Sequence, residues 1–277
     1  MELKIYEVVN QQYNIGGDGT AEFDIPYAVH SEKNKLDLYI PTIKRERYPL
    51  VVFIHGGAFF KSSKERHLSN VLNCLLYGYA VASINYRFND EAAYPEIRMD
   101  CIEAFNFLAA RPEIDDKKIV LWGESHGAYL ADDITVSCSH MLQFKPAGIV
   151  SFYAPIDLKD FYLYKEEHHE HVMVDGYEND SVTFRAEGDS LLKEMEKYAV
   201  LKNISGQEPP FYLLHGKQDD TIPYRYTKEF DRALAEKKVE HVTDIVEDGI
   251  HGIDFYASPK YNAPVLRFIE SVMEGGR

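Results

Sequence analysis

Seven short apolar stretches recur along the chain, and several of them run continuously rather than alternating with polar residues. They are residues 36–40, 50–55, 80–85, 118–122, 147–153, 210–215 and 241–246. Continuous apolar runs of this length are typical of strands that are covered on both faces, as in a parallel sheet. The pattern therefore predicts a mostly parallel sheet between two layers of other elements.

The stretches between these strands carry helix-like patterns. The predicted helices are roughly 66–77, 98–110, 126–139, 225–237 and 261–273. In the second of them, Ile102, Phe105 and Leu108 form an apolar stripe. Because strands and helices alternate, we expect right-handed βαβ crossovers and an α/β fold with a doubly wound sheet and helices on both faces.

One segment breaks this alternation. Residues 157–209 mix charged and aromatic side chains and contain no clear strand. A length of roughly fifty residues is far above the usual βα connection of about 2–6 residues. We therefore expect a single domain over residues 1–277 with a short cap inserted at about 157–209. Within the cap, residues 189–200 predict a helix that begins at Asp189 or Ser190 as its N-cap.

Composition limits the function. The chain has 277 residues, 45% of them hydrophobic, which is enough for one large core. Its net charge of −15 argues against nucleic-acid partners. Residues 1–17 lack a signal-peptide pattern, and no apolar run approaches the ~20 residues that span a bilayer. Cys74, Cys101 and Cys138 match no zinc spacing and are interpreted as buried thiols. These features predict a cytoplasmic protein without a membrane span and leave a homo-oligomer open.

The candidate chemistry begins with the stretch GESHG at residues 123–127, which follows an apolar strand and opens a predicted helix. This strand–turn–helix setting is typical of a nucleophile elbow and makes Ser125 the candidate nucleophile. The neighbouring His126 points in another direction on so tight a turn, so its expected contribution is its backbone N–H. With the N–H groups of Gly56 and Gly57, which follow His55 after another strand, it would form an oxyanion hole.

A serine nucleophile also needs a base and an acid, in the chain order Ser, Asp, His. His251 follows the last predicted strand and is the candidate base. Asp219 and Asp220 follow the strand before it, and their spacing leaves the choice of acid open. All these residues follow the ends of parallel strands, where a doubly wound sheet gathers its loops.

Taken together, these motifs resemble the α/β-hydrolase superfamily. The matching stretches are LDLYIP, HGGAF, INYRFNDEAAYPEIRMD, VLWGESHGAYLA, EPPFYLLHGKQDDTIP and HGI, spread over roughly residues 25–255. Within the superfamily the chain is similar to small carboxylesterases of the hormone-sensitive-lipase and acetyl(xylan)/feruloyl esterase type. The resemblance implies Ser125 as nucleophile, Asp219 as acid, His251 as base, and no cofactor or metal.

The same resemblance implies a small-molecule ester as substrate. The candidates are short-chain or aromatic acyl esters, including acetyl or feruloyl esters of carbohydrates. Phe59, Phe60, Phe161 and Tyr162 are the candidate pocket residues. His126 and the Phe59–Phe60 pair differ from the family pattern at positions beside the acyl pocket. We therefore do not transfer the family's acyl-chain preference to this chain. An arylformamidase-like amidase or peptidase and a non-catalytic hydrolase-fold binding protein are the alternatives.

Other polar residues have mainly structural interpretations. His55 and His215 each precede a glycine and are expected to bond locally, Glu124 to anchor the elbow, and Arg87 to pair with Asp100. In the run EEHHEH at 166–171, His168 and His171 are three residues apart. On a shared helix face, with Glu167 or Glu170, they could bind a metal. A solvated surface run is the favoured interpretation.

Overall fold

The computed structural model describes residues 20–174 and 176–275. The prediction that no signal peptide is present rests on residues 1–17 and lies outside these ranges. Ten strands are described: β1 (Thr20–Pro26), β2 (Lys35–Ile40), β3 (Tyr48–Ile54), β4 (Ala80–Ile84), β5 (Ile114–Glu124), β6 (Gly148–Phe152), β7 (Met173–Val174), β8 (Tyr177–Glu178), β9 (Phe211–Gly216) and β10 (His241–Val246).

Eight of these strands form one sheet in the order β1-β2-β4-β3-β5-β6-β9-β10. From β4 to β10 every neighbouring pair is parallel, whereas β2 runs antiparallel to both β1 and β4. All seven predicted strands are present, and the mostly parallel sheet is confirmed. Because β3, β5, β9 and β10 run the same way, the loops after them meet at one edge.

Eight α-helices are described: α1 (Tyr94–Ala109), α2 (His126–Ser137), α3 (Leu158–His168), α4 (Asn179–Phe184), α5 (Gly188–Glu196), α6 (Val200–Asn203), α7 (Arg225–Glu236) and α8 (Pro259–Glu274). Short 3-10 helices span Val71–Tyr77, Ser139–Met141 and Ile253–Ala257.

The core lies on both faces of the sheet. Along β3, Leu50, Val52 and Ile54 belong to a cluster that includes residues of α1, α2 and α7. Val51 and Phe53 belong to a second cluster that includes residues of α8 and of the 3-10 helix at 71–77. Successive side chains of a strand point to opposite faces, so a fully apolar strand contributes to both clusters. The doubly wound α/β architecture is thus confirmed.

Two elements at one side of the sheet differ from the sequence prediction. Strand β1 was not predicted, since its residues alternate between exposed and half-buried as an edge strand does. The helix predicted over 66–77 is wrong in its first part, and only Val71–Tyr77 is helical. Before it, the Lys64 ammonium is buried against Asp37 at 2.9 Å and Asp24 at 3.0 Å. These tertiary contacts hold residues 64–70 in turns.

The segment 157–209 contains α3 to α6 and a small hairpin of β7 and β8. The expectation that it holds no strand is corrected by this hairpin, whose strands are too short to give a sequence period. The expected N-cap of α5 is also corrected. The helix begins at Gly188, so Asp189 and Ser190 lie in its first turn, and the Ser190 hydroxyl accepts the Glu187 N–H at 3.3 Å.

Two smaller predictions, the Arg87–Asp100 pair and the buried thiols, are confirmed. The Arg87 guanidinium donates to both carboxylate oxygens of the buried Asp100, at 2.8–3.2 Å. Cys74, Cys101 and Cys138 are free and buried. No helix among the described residues has both the length and the apolar character to cross a membrane.

Candidate active site

Ser125 occupies the turn between β5 and α2. Its backbone adopts φ 52° and ψ −126°, a conformation that costs a non-glycine residue energy and is held by its surroundings. The Ser125 N–H donates to the Phe152 carbonyl at 2.9 Å. A Cβ at Gly127 would lie 2.2 Å from the Ile54 carbonyl oxygen, so only glycine fits there. The turn therefore presents Ser125 at the N-terminus of α2, where the helix dipole favours negative charge.

The loop after β3 lies directly against this turn. Gly57 has φ +111°, which favours glycine, and a Cβ placed on Gly56 would lie 2.9 Å from Ser125 Cβ. His55 is buried, stacks on Tyr86 with ring centroids 4.5 Å apart, and donates from Nδ1 to the Gly56 carbonyl at 2.7 Å. The predicted local role of His55 is confirmed. The loop brings backbone N–H groups beside the serine.

Glu124 joins this loop to the elbow. Its Oε1 accepts the Gly56 N–H at 3.3 Å and the His67 Nδ1–H at 2.6 Å, and its Oε2 accepts the Tyr153 hydroxyl at 2.9 Å. Burial alone would raise the pKa of Glu124, but the hydrogen bond and charge of His67, with the bonds from Gly56 and Tyr153, lower it overall. Glu124 is therefore a buried carboxylate, and its expected anchoring role is confirmed.

This contact also bears on which of the predicted N–H groups could serve as oxyanion donors. The Gly56 N–H already has an acceptor in Glu124. Gly57 and His126 have no hydrogen-bond acceptor for their N–H groups within the described part of the chain. Those two groups are the remaining candidates. His67 and Tyr153 were missed by sequence reasoning because neither lies in a motif, and only the fold brings them to Glu124.

The loops after β9 and β10 bring Asp219 and His251 together. His251 Nδ1 lies 2.8 Å from Asp219 Oδ2, and the Asp219 side chain is fully buried. Asp219 Oδ1 accepts the N–H groups of Thr221 at 2.9 Å and Ile222 at 2.8 Å. Asp220 is exposed, and among the described residues its side chain accepts only the Thr221 hydroxyl, at 3.3 Å. The choice left open by spacing is thus resolved in favour of Asp219 as the histidine's partner.

A second histidine contacts the same carboxylate. His215 Nε2 lies 3.2 Å from Asp219 Oδ2 and 2.8 Å from the Ile222 carbonyl, and its Nδ1 lies 2.7 Å from the Thr227 hydroxyl. Burial alone would raise the pKa of Asp219, but the hydrogen bonds of His215, His251 and Ile222 and the charge of His251 hold it well below its usual range. The local role of His215 is confirmed, and its contact with Asp219 is additional.

The hydrogen bond to an ionised carboxylate decides which ring nitrogen of His251 carries the proton. A carboxylate only accepts, so His251 Nδ1 carries the proton and Nε2 keeps its lone pair when the ring is neutral. The ring of His251 also contacts that of Tyr153, with centroids 4.6 Å apart. A neutral imidazole held in this way can take a proton at Nε2.

Ser125 and His251 line one cavity of about 700 Å³, which residues of the segment 157–209 partly cover. Its wall includes Gly56, Gly57, Phe60, His67, Glu124, His126, Phe161, Lys165, His171 and Asp220. Of the four predicted pocket residues, Phe60 and Phe161 line it. Phe59 and Tyr162 do not: Phe59 is buried behind His126, and the Tyr162 hydroxyl donates to Glu178 at 3.0 Å.

The imidazole of His126 forms part of the cavity wall. It meets Phe59 edge to face, with ring centroids 4.8 Å apart, and its Nδ1 is buried with no hydrogen-bond partner among the described residues. Burial, together with the nearby charges of Lys165 and His251, lowers the pKa of His126 to about 3. The side chain is therefore neutral at ordinary pH and presents an uncharged, flat ring beside the serine.

The eight-stranded sheet and the elbow at its carboxyl edge define an α/β-hydrolase. The chain belongs to the BD-FAE family, whose model matches residues 36–234, more than half of the chain.

Individual relatives are more distant. The chain is 25% identical over 230 residues to dipeptidyl peptidase 4 of Sus scrofa, covering 76% of this chain and 27% of the peptidase. It is 24% identical over 218 residues to an isoprenylcysteine alpha-carbonyl methylesterase of Arabidopsis thaliana, covering 73% of this chain and 50% of that protein. A truncated carbohydrate esterase from gut microbiota has the same fold, with a TM-score of 0.79 at 18% identity over 92% of this chain and 96% of its own. The chain thus spans half or less of these two curated relatives.

Proposed function

We propose that the protein is a serine hydrolase of carboxylic esters, with Ser125 as nucleophile, His251 as base and Asp219 as the acid that orients it. The observation that carries this proposal is the buried Asp219–His251 pair, at 2.8 Å, beside the cavity that Ser125 also lines. The names of the methylesterase and carbohydrate esterase relatives support an ester as substrate.

The proposed reaction uses Nε2 of His251, the ring nitrogen that does not face Asp219. His251 Nε2 takes the proton of the Ser125 hydroxyl as its oxygen attacks the acyl carbon. The oxyanion is stabilised by the N–H groups of Gly57 and His126 and by the N-terminus of α2. His251 then protonates the leaving alcohol, and the acyl group remains on Ser125. A water activated by His251 hydrolyses this acyl-enzyme, and Asp219 stabilises the imidazolium in both steps.

The cavity favours an uncharged acyl group. The cavity wall carries the neutral His126 ring, which follows Ser125 directly, and the side chains of Phe60 and Phe161. The Lys165 ammonium, which also lines the cavity, is paired with the buried Asp180 carboxylate. We propose short-chain or aromatic acyl esters as substrates, with acetyl or feruloyl esters of carbohydrates first to be tested. The segment 157–209 would act as a cap through Phe161.

An amidase or peptidase activity is the second candidate. The similarity to dipeptidyl peptidase 4 favours it, because amide and ester hydrolysis use the same nucleophile, base and oxyanion donors. The two activities differ in the leaving group, which His251 must protonate more fully for an amine. Matched acyl p-nitrophenyl esters and p-nitroanilides, with the same acyl group, separate them by the ratio of kcat/KM.

The decisive experiment is reaction with a fluorophosphonate probe, followed by mass spectrometry of the labelled peptide. We expect the adduct on Ser125, no adduct in Ser125→Ala, and very slow labelling in His251→Ala. Asp220→Asn is the matched control and should label at a rate close to the parent's, since the Asp220 carboxylate accepts no hydrogen bond from His251. A folded parent protein that is not labelled at Ser125 would refute the mechanism and favour the non-catalytic binding protein.

Cytoplasmic location and a homo-oligomer stay predictions.

A further inference from the structure

A cluster of one histidine and two carboxylates lies in the segment 157–209, outside the proposed catalytic residues. Its members are Glu166 in the last turn of α3, His171 in the loop that follows, and Glu178 at the end of β8. One potential ligand atom from each lies within 4.8 Å of the other two. The sequence suggested a different pair, His168 and His171 on one helix face, but α3 ends at His168 and separates them.

His171 is the unusual member of this cluster. Its side chain is 12% exposed, and Nε2 lies 2.9 Å from Glu166 Oε1. That contact lacks hydrogen-bond alignment, and neither ring nitrogen makes a hydrogen bond to any described residue although both are buried. Buried polar groups without hydrogen bonds are costly, whereas a metal ion would accept the lone pair of one nitrogen. A nitrogen and an oxygen that lie 2.9 Å apart but do not align for a hydrogen bond can be neighbouring ligands of one ion.

A nearby tyrosine orients the cluster. The Tyr162 hydroxyl donates to Glu178 Oε2 at 3.0 Å, which leaves Oε1 available. The Tyr162 ring also contacts the His171 ring, with centroids 4.8 Å apart. Ligands of metal ions are commonly held in place by such hydrogen bonds from surrounding side chains. By contrast, the Nδ1 of His168 lies 2.7 Å from the Tyr164 carbonyl, and its ring stacks on Tyr164.

We propose that Glu166, His171 and Glu178 bind a divalent transition-metal ion of the Zn²⁺ type. Zinc takes imidazole nitrogen and carboxylate oxygen at about 2.0–2.2 Å, with a water in a remaining position, so its ligand atoms lie about 3–4 Å apart. Small side-chain rotations bring atoms within 4.8 Å to that spacing. Mg²⁺ and Ca²⁺ prefer oxygen ligands alone, so the imidazole disfavours them.

The site has a consequence for the cavity. Glu170, His171 and Val172 line it together with Ser125, so the loop that would carry the ion is part of the cavity wall. The ion would join the end of α3 to β8 and hold this loop in one position. It takes no part in the chemistry at Ser125. We therefore expect zinc to stabilise the wall and to change KM for esters more than kcat.

The test is zinc binding by the full chain after chelator treatment and dialysis, measured by calorimetry with ZnCl₂ and, for comparison, MgCl₂. We expect one zinc ion per chain and a raised melting temperature. We also expect slower proteolytic cleavage within 157–209 and no comparable effect of magnesium. His171→Ala and the nearly isosteric Glu178→Gln should lose the bound ion. The matched controls His168→Ala and His140→Ala, which remove exposed histidines, should keep it.

Two results would overturn the proposal. One is the absence of zinc binding by the folded parent protein. The other is binding that survives in both His171→Ala and Glu178→Gln, which would place the ion elsewhere among the 11 histidines. Calorimetry and proteolysis do not depend on hydrolysis of any ester. A failure of this proposal is therefore separate from a failure of the proposed activity.

Discussion

Replacing Asp219 by asparagine tests the proposed catalytic pair most directly, because the surroundings of the carboxylate treat its two oxygens differently. Oδ1 accepts two backbone N–H groups, from Thr221 and Ile222, while Oδ2 faces His251 Nδ1 and His215 Nε2. Asparagine has one oxygen and one NH₂ group. If its oxygen keeps the two backbone bonds, the NH₂ group faces both histidine nitrogens.

The consequence falls on the tautomer of His251. Facing an NH₂ donor, His251 must accept at Nδ1 and carry its proton at Nε2, where it can no longer take the proton of Ser125. In a serine protease the equivalent change lowers kcat about 10⁴-fold. That factor corresponds to about 5.4 kcal/mol of transition-state stabilisation, at 1.36 kcal/mol for each tenfold. The opposite amide orientation leaves two backbone N–H groups without an acceptor and is disfavoured.

The assay is kcat and KM on p-nitrophenyl acetate, with circular dichroism to establish that the variant is folded. We expect Asp219→Asn to lose on the order of 10⁴ in kcat with little change in KM. Asp220→Asn is the control: its carboxylate lines the cavity but accepts no hydrogen bond from His251, so any effect should fall on KM and kcat should stay within about twofold of the parent. A folded Asp219→Asn enzyme that keeps a tenth of the parental kcat would refute the assignment of Asp219.

Three further outcomes follow from the same contacts. Glu124→Gln should lower kcat roughly tenfold, below the ~10²–10³ cost of a lost oxyanion donor, because the amide oxygen can replace Oε1 and keep the bonds from Gly56 and His67, while the NH₂ group cannot accept the Tyr153 hydroxyl; an unchanged kcat would contradict the link. His126→Ala should keep activity within about tenfold, since its backbone N–H remains, while His251→Ala should lose at least about 10³-fold; the reverse order of the two kcat values would overturn both roles. The third outcome concerns pH. His126 has a pKa of about 3 when folded and an ordinary value of 6.5, so the unfolded chain binds the extra proton as pH falls between these values. The free energy of unfolding should therefore decrease as pH falls through that window. Urea unfolding at pH 7 and pH 4 should show a smaller decrease for His126→Phe than for the parent, and equal decreases in the two proteins would contradict the lowered pKa of His126.

Much of the fold could be predicted because its signals are local. A strand covered on both faces is buried along its whole length and is therefore mostly apolar, so strands β3, β4, β6 and β9 appeared as nearly continuous apolar runs. The edge strand β1 escaped prediction because only one of its faces packs. The helix over 66–77 was overestimated because the buried Lys64 and its carboxylate partners hold the preceding residues in turns. Local preference is a weak term beside such tertiary contacts.

The candidate site likewise combines residues that the sequence identified with contacts that only the folded chain creates. The sequence by itself determined Ser125, His251 and the glycine loop at 55–57, because a tight turn needs small residues at set spacings and parallel strands end at one edge. Residue spacing left Asp219 and Asp220 open and the family resemblance favoured Asp219, which the structure places against His251. Only the tertiary structure decided that Glu124 takes the Gly56 N–H and that His171 joins Glu166 and Glu178. These contacts join residues from separate elements, and their distances depend on how those elements pack, which no local pattern records.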